Sequence, residues 1–185
     1  MKTSGLFTYL AIGTATVTFA APAPTPGDIH PRTLLPGLNL AQTECANGII
    51  SQAKKDGVGA HGCQVAITAS IVESNLLKSA NKAVPESLTY PHDQVMSPAT
   101  APSYSSGGGG GTGPFKQQAP VYKDVKCNME PSCSAGQFFD ALKKIEGWKV
   151  AAVDILAMKV QKVSEKVEFE KKVGVSVGIC KAGGL

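Results

Sequence analysis

The chain has 185 residues, a length that suits one domain of ordinary size. Its formal charge of +4 is mild, and with one Trp, four Tyr and no Arg cluster it excludes a nucleic-acid-binding surface. All five cysteines, Cys45, Cys63, Cys127, Cys133 and Cys180, lie beyond the N-terminal apolar run.

Lys2 opens a charge-free run over residues 3–26, with Leu6, Phe7, Tyr9, Leu10, Ala11 and Ile12 as its apolar core. This reads as a secretory signal peptide over residues 1–20, cleaved after the small residues Thr18 and Ala20. The run is too short and too broken by Thr and Gly to span a membrane. The expected destination is therefore extracellular. In that oxidising setting disulfides are the default, and an odd number of cysteines leaves one thiol over. No spacing is Cys-x-x-Cys and no His pair accompanies them, so neither a structural zinc nor any other metal or cofactor is expected.

Residues 21–42 are rich in Pro and small side chains and read as an extended leader. The domain proper is expected over 43–180. Cys45, Ala46, Ile49, Ile50 and Ala53 recur at helical spacing, ahead of Lys54, Lys55 and a Gly57 stop. A second helix is predicted from about Gly62 to Ser74, forming an αα-hairpin with the first. Cys45 and Cys63 would then stand roughly 18 Å apart, at about 1.5 Å per residue, which disfavours a bridge between them.

The second helix carries the most informative residue. From Gly62 to Val72 nothing is charged, and Val65, Ala66, Ile67, Ala69, Ile71 and Val72 are apolar on nearly every face. Such a helix belongs in the interior, and it ends in a carboxylate, Glu73. Desolvation and the C-terminal end of the helix dipole both favour the neutral acid. A carboxyl kept protonated near neutral pH is what a general acid requires. Ser70, Ala69 and Ala66 lie beneath Glu73 on the same face, and their small size leaves space for a ligand there. The structural alternative is a helix-end Glu paired with a nearby Lys or a backbone amide.

Residues 76–96, interrupted by Pro85 and Pro91, read as irregular wrapping structure, and residues 97–114 as a flexible insertion rich in Pro, Ser and Gly. Its glycines are not a phosphate cradle, because the Lys and Ser/Thr of a P-loop are absent. Ser134 is the expected cap of an amphipathic helix bearing Ala135, Phe138, Phe139, Leu142 and Ile145, with Gly147 as its stop. Asp154 is the expected cap of another, carrying Ile155, Met158 and Val163. The Lys- and Glu-rich residues 164–172 read as a solvated helix face, and 173–179 as a short strand or tail.

Ala46-Asn-Gly-Ile-Ile, Val72-Glu-Ser-Asn, Ser79-Ala-Asn, Ala83-Val-Pro-Glu-Ser-Leu-Thr-Tyr-Pro-His-Asp, Phe115-Lys-Gln-Gln and Cys133-Ser-Ala-Gly-Gln-Phe-Phe stand in this order along the chain. Together they resemble a lysozyme-like domain of the lytic transglycosylase type, as in actinobacterial, phage and secreted fungal proteins. The resemblance implies a mainly α, single-domain fold with a cleft, in which Glu73 is the catalytic acid acting on peptidoglycan. It further implies that Gln117 and Gln118 line the cleft and that Ser74 and Asn75 support the end of the acid's helix. Asp93 is the nearest candidate for a second carboxylate, which a two-carboxylate glycosidase needs and a lytic transglycosylase does not. The expected partner is cell-wall glycan, bound by a monomer, with neither nucleic acid nor membrane involved.

The pattern departs from the family in two places. Low-complexity sequence fills 94–113, and Glu165-Lys-Val-Glu-Phe stands where an aromatic-Pro-Asp-aromatic element is usual. A binding or effector protein on the same scaffold, without turnover, is therefore the alternative. A third reading is a cysteine hydrolase, with Cys63 activated near a helix start and His92 as base; it requires Cys63 to be the free thiol. His61 reads as a loop residue, and Trp148 as an anchor for a helix end in preference to a sugar-stacking ring.

Overall fold

A computed structural model describes residues 33–97, 110–164 and 166–185. The signal assignment falls wholly outside these, as does the middle of the insertion; of the leader, residues 33–42 are described, with Leu35 buried and a helix already under way at Leu40, ahead of the domain start expected at 43. Six helices dominate: α1 (Leu40–Lys55), α2 (Gly59–Ser74), α3 (Val125–Met129), α4 (Pro131–Lys143), α5 (Val153–Gln161) and α6 (Lys166–Ala182). Four short strands complete the elements: β1 (Ser79–Asn81), β2 (Gln94–Met96), β3 (Gly111–Thr112) and β4 (Gln117–Gln118). The protein is thus mainly helical.

Helix α1 starts at a capping box: the Asn39 side chain accepts from the Gln42 N–H at 3.0 Å, and the Gln42 side chain accepts from the Asn39 N–H at 3.0 Å. Its buried face is Thr43, Cys45, Ala46, Ile49, Ile50 and Ala53, the spacing read from the sequence. Gly57, with φ of 64°, then reverses the chain into α2. Helix α2 starts three residues earlier than expected, so His61 sits on its first turn and not in a loop. Helices α1, α4, α5 and α6 all pack on α2, and Val65, Ala66, Ile67, Thr68, Ala69 and Ser70 are fully buried. An unbroken apolar run has no solvent face to offer, so the other helices must cover it.

Two regions read as irregular or flexible are structured. In 76–96, β1 pairs in parallel with β2, with a 3-10 turn over Pro85–Thr89 between them. At the C-terminal edge of the insertion, β3 pairs antiparallel with β4, and residues 111–115 are buried. The hairpin's Gly content has a steric reason. Gly113 has φ of 74°, and a Cβ there would lie 1.7 Å from the Asn128 carbonyl oxygen. Residues 98–109 lie outside the described residues.

The later helices correct three local expectations. Helix α4 begins before Ser134 and is capped by Glu130, whose side chain accepts from the Cys133 N–H. Asp154 lies within the first turn of α5, not at its cap, and meets Lys166 at 3.6 Å. Residues 173–179 are neither strand nor tail; they continue α6, whose Phe169, Ser176, Ile179 and Cys180 are buried. Tertiary burial against α2 outweighs the poor helix propensity of Gly174 and Gly178.

Cys63 bridges Cys180 across 117 residues, fastening α2 to α6, and Cys127 bridges Cys133. Closing a loop of the first size removes on the order of 4–5 kcal/mol of unfolded-chain entropy. Between the ends of the α2–α6 contact, the Thr68 hydroxyl donates to Ser176 Oγ at 2.9 Å. Cys45 is the free cysteine; it is fully buried, and burial, helped by the Asp93 charge, pushes its thiol up to about 12. A thiol reagent applied without reductant should therefore label no cysteine of the native protein and one after denaturation, Cys45, read by peptide mass. Labelling of Cys63 would contradict the pairing.

Candidate functional site

Helix α2 delivers Glu73 to the edge of the core, where the chain abandons helical geometry at once. Asn75 and Leu76 both take left-handed backbone, with φ of 57° and 59°. Leu76 is fully buried, so an apolar residue is held in a conformation that usually falls to Gly or Asn. Three contacts hold this exit. The Asn75 carbonyl accepts from Gln42 Nε2 at 3.0 Å, tying it to the start of α1. The Ser74 hydroxyl lies 3.1 Å from the Ser70 carbonyl and 2.8 Å from that of Pro114, so its one proton is shared between helix and hairpin. Its oxygen accepts from the Leu77 N–H at 3.2 Å.

The hairpin is docked from its other side too. The Gly113 N–H donates to the Ser79 carbonyl at 2.8 Å, and Asn81 Nδ2 donates to the Gly111 carbonyl at 3.1 Å. Gln117 uses both ends of its amide on Ser134: Nε2 donates to the Ser134 carbonyl at 3.0 Å, and Oε1 accepts from its hydroxyl at 2.9 Å. Across the opening, Gln161 Nε2 at the end of α5 donates to the Phe115 carbonyl at 3.2 Å, and the Phe115 ring stacks on Phe138 with centroids 4.7 Å apart.

These elements enclose a cleft of about 240 Å³ lined by residues of α2, the hairpin, the turn after β4 and the end of α5. Its titratable lining groups are Glu73, Lys116, Tyr122 and Lys162. Glu73 is 5% exposed, and burial pushes its carboxyl up to about 7, with the Lys116 charge acting in the opposite direction. Burial lowers the Lys116 ammonium, and Glu73 raises it. Lys116 and Lys162 have left-handed backbone, with φ of 46° and 57°. Among the described residues all four non-glycine positions with positive φ, Asn75, Leu76, Lys116 and Lys162, belong to the elements that form this cleft. Asn75 and Lys162 are helix C-caps, where this conformation is usual, which leaves Leu76 and Lys116 as the strained positions.

Of the residues singled out from the sequence, Glu73, Gln117 and Gln118 line the cleft. Gln118 also borders a second cavity, of about 540 Å³, formed with Val84, Pro85 and Val125. Ser74 and Asn75 hold the helix end and do not line the cleft. Asp93 is elsewhere: its carboxylate accepts from the Lys78 N–H at 2.8 Å and lies 3.9 Å from Lys78 Nζ. Ser70, Ala69 and Ala66 are fully buried, so the space expected beneath Glu73 is filled by protein and the opening lies on the hairpin side. The disulfide of Cys63 removes the cysteine-hydrolase reading. Trp148 packs against the core and does not line the cleft.

Four polar lining residues escaped the sequence reading: Lys116, Tyr122, Gln161 and Lys162. Lys116 stood inside a motif noticed for its glutamines, and nothing local distinguishes Lys162 from the other lysines that follow α5. Among the described residues no group of three or more His, Cys, Asp or Glu side chains is placed to hold a metal ion. No protein-family model matches the chain, and no curated protein matches it in sequence.

The Glu73 carboxyl gives a signed pH dependence. Its pKa is higher folded than its ordinary 4.5, so the folded state binds the extra proton between that value and about 7. Stability from the neutral acid is therefore full below about 4.5 and lost as pH rises through about 7. The loss, on the order of 3 kcal/mol at about 1.4 kcal/mol per unit, should be absent in Glu73→Gln. Denaturant midpoints from pH 4 to 8 should show the variant gaining on wild type and exceeding it at pH 8. A paired, ionised Glu73 would give the reverse order at pH 8.

Proposed function

We propose that this is a secreted enzyme of lysozyme-like type that cleaves peptidoglycan, with Glu73 as its general acid and a lytic transglycosylase course of reaction. The observation that carries this reading is a single carboxyl, buried at a cleft edge and raised by that burial to about 7, with no second carboxylate among the described lining residues.

Glu73 donates its proton to the glycosidic oxygen as the bond to the anomeric carbon breaks, and the departing sugar leaves as an alcohol. The resulting carboxylate then accepts the proton of the 6-hydroxyl on the muramic acid retained in the cleft, while that oxygen bonds to the anomeric carbon. This regenerates the acid and closes an anhydro ring. Water is not consumed. One Glu therefore serves as acid and then base, whereas hydrolysis by a carboxylate pair needs a partner about 5–9 Å away. Asp93 is committed to Lys78 and does not line the cleft, which favours the one-carboxylate course. The two disulfides suit an oxidising, extracellular setting, and no described helix is long and apolar enough to cross a membrane.

Glu73→Gln should keep the fold and lose about 10²–10⁴-fold of peptidoglycan turnover, measured as soluble fragments released. Asp93→Asn should keep turnover and yield anhydro-ended products by mass spectrometry. Folded wild-type protein that binds peptidoglycan yet releases nothing would replace the enzyme with a binding or effector protein on the same scaffold.

A further inference from the structure

Two lysines line the cleft, Lys116 and Lys162. Lys116 is half-buried at the tip of the β3–β4 hairpin, whereas Lys162, which follows the last turn of α5, is exposed at the rim of the cleft. Neither makes an ion pair or side-chain hydrogen bond among the described residues, although Lys78, Lys143, Lys166 and Lys171 all find carboxylates. A half-buried ammonium without a counter-charge is unfavourable, because it gives up hydration and gains no Coulomb energy in return. Glu73, the acid among the described lining residues, supplies that charge only as it ionises, and burial raises its carboxyl to about 7. Tyr122, the remaining titratable lining group, is raised above its ordinary value by burial and is neutral. As pH falls below about 7 the described lining therefore becomes more positive. Both lysines also hold left-handed backbone, a conformation uncommon for a long side chain.

We propose that Lys116 and Lys162 form a carboxylate-binding pair that selects glycans bearing a free carboxylate beside the bond presented to Glu73. The proposal rests on the reading of the cleft as a glycan site. An incoming carboxylate would supply the missing counter-charge where solvent is partly excluded, so the interaction is stronger than on the open surface. In peptidoglycan such a group has two sources: the lactyl ether of muramic acid itself, free only after an amidase-class reaction has removed the peptide, or the carboxyl groups of an attached peptide stem. Lysine acts as a point charge and not as a planar fork, so the selection is for charge at this position.

The test is calorimetric binding at pH 6 to the full-length Glu73→Gln protein, which should not turn over its ligands. Three tetrasaccharides of alternating N-acetylglucosamine and N-acetylmuramic acid serve as probes: one with free lactyl carboxylates, one with those groups as carboxamides, and one carrying L-Ala-D-Glu stems. The free acid or the stem-bearing form should bind about ten- to a hundred-fold tighter than the carboxamide, the magnitude of one charge-assisted contact. Whichever is tighter names the source. Adding Lys116→Gln should remove most of this preference, Lys162→Gln part of it, and Lys116→Arg should restore it, with carboxamide affinity unchanged throughout. Should Lys116→Gln fail to fold, rising salt on the parent protein should weaken the charged probes and leave the carboxamide unaffected. Equal affinity for all three, or a preference that survives both lysine variants and salt, overturns the lysine proposal while leaving the glycan site in place. Binding of none of the probes overturns both.

Discussion

The constraint on which everything else depends is that α2 has no face for water. Its residues from Gly62 to Val72 carry no charge, and most of them are buried. Four helices cover it, the Cys63–Cys180 bridge and the Thr68–Ser176 hydrogen bond pin α6 along its length, and the capping residue Gln42 of α1 reaches its last turn. The only carboxyl on this helix is carried into the core with it. Its proton affinity is set by that position, and Lys116 pulls the value down without overcoming burial. The candidate chemistry therefore follows from the helix's packing.

Such a helix must stop abruptly, since one more regular turn would carry Glu73 away from the edge. The stop uses left-handed backbone at Asn75 and Leu76, an arrangement that costs on the order of 1–3 kcal/mol per strained non-glycine residue. The compensation is visible in the surroundings: Leu76 is fully buried, and the Ser74 hydroxyl joins the helix end to the hairpin at Pro114. Gly113 lets that hairpin approach α3 closely enough for its carbonyls and amides to meet β1. The same hairpin then presents Lys116 beside Glu73. Acid and ammonium are brought together by backbone contacts, and no ion pair between them is needed to form the cleft.

This division explains what could be read from the sequence. Helices α1 and α2 were legible because periodicity and continuous apolarity are local signals, and Glu73 was legible because a lone carboxylate in such a run has few inexpensive environments. The hairpin was not, since Gly111, Thr112 and Gly113 share the composition of the low-complexity sequence before them. Their order comes from β1 and α3, elements distant in sequence. Helix α6 was obscured for a related reason: Val and Gly alternation at 173–179 mimics a strand, and only burial against α2 and the bridge to Cys63 make it helical. The anchoring of Gln117 was not legible either, because sequence shows an amide but not that Ser134 engages both of its ends.

The role of Asp93 turns on the same distinction between proximity in sequence and proximity in space. Twenty residues separate it from Glu73, yet its oxygens serve the main chain and side chain of Lys78, just before β1, and it does not line the cleft. Its carboxylate is held by the Lys78 N–H and lies within reach of the Lys78 ammonium. Recruiting it as a nucleophile or base would break those contacts and expose Lys78 in turn. Among the described lining residues the cleft is therefore left with one acid, Glu73. A substrate that brings its own nucleophilic hydroxyl is the simplest complement to a site of that composition.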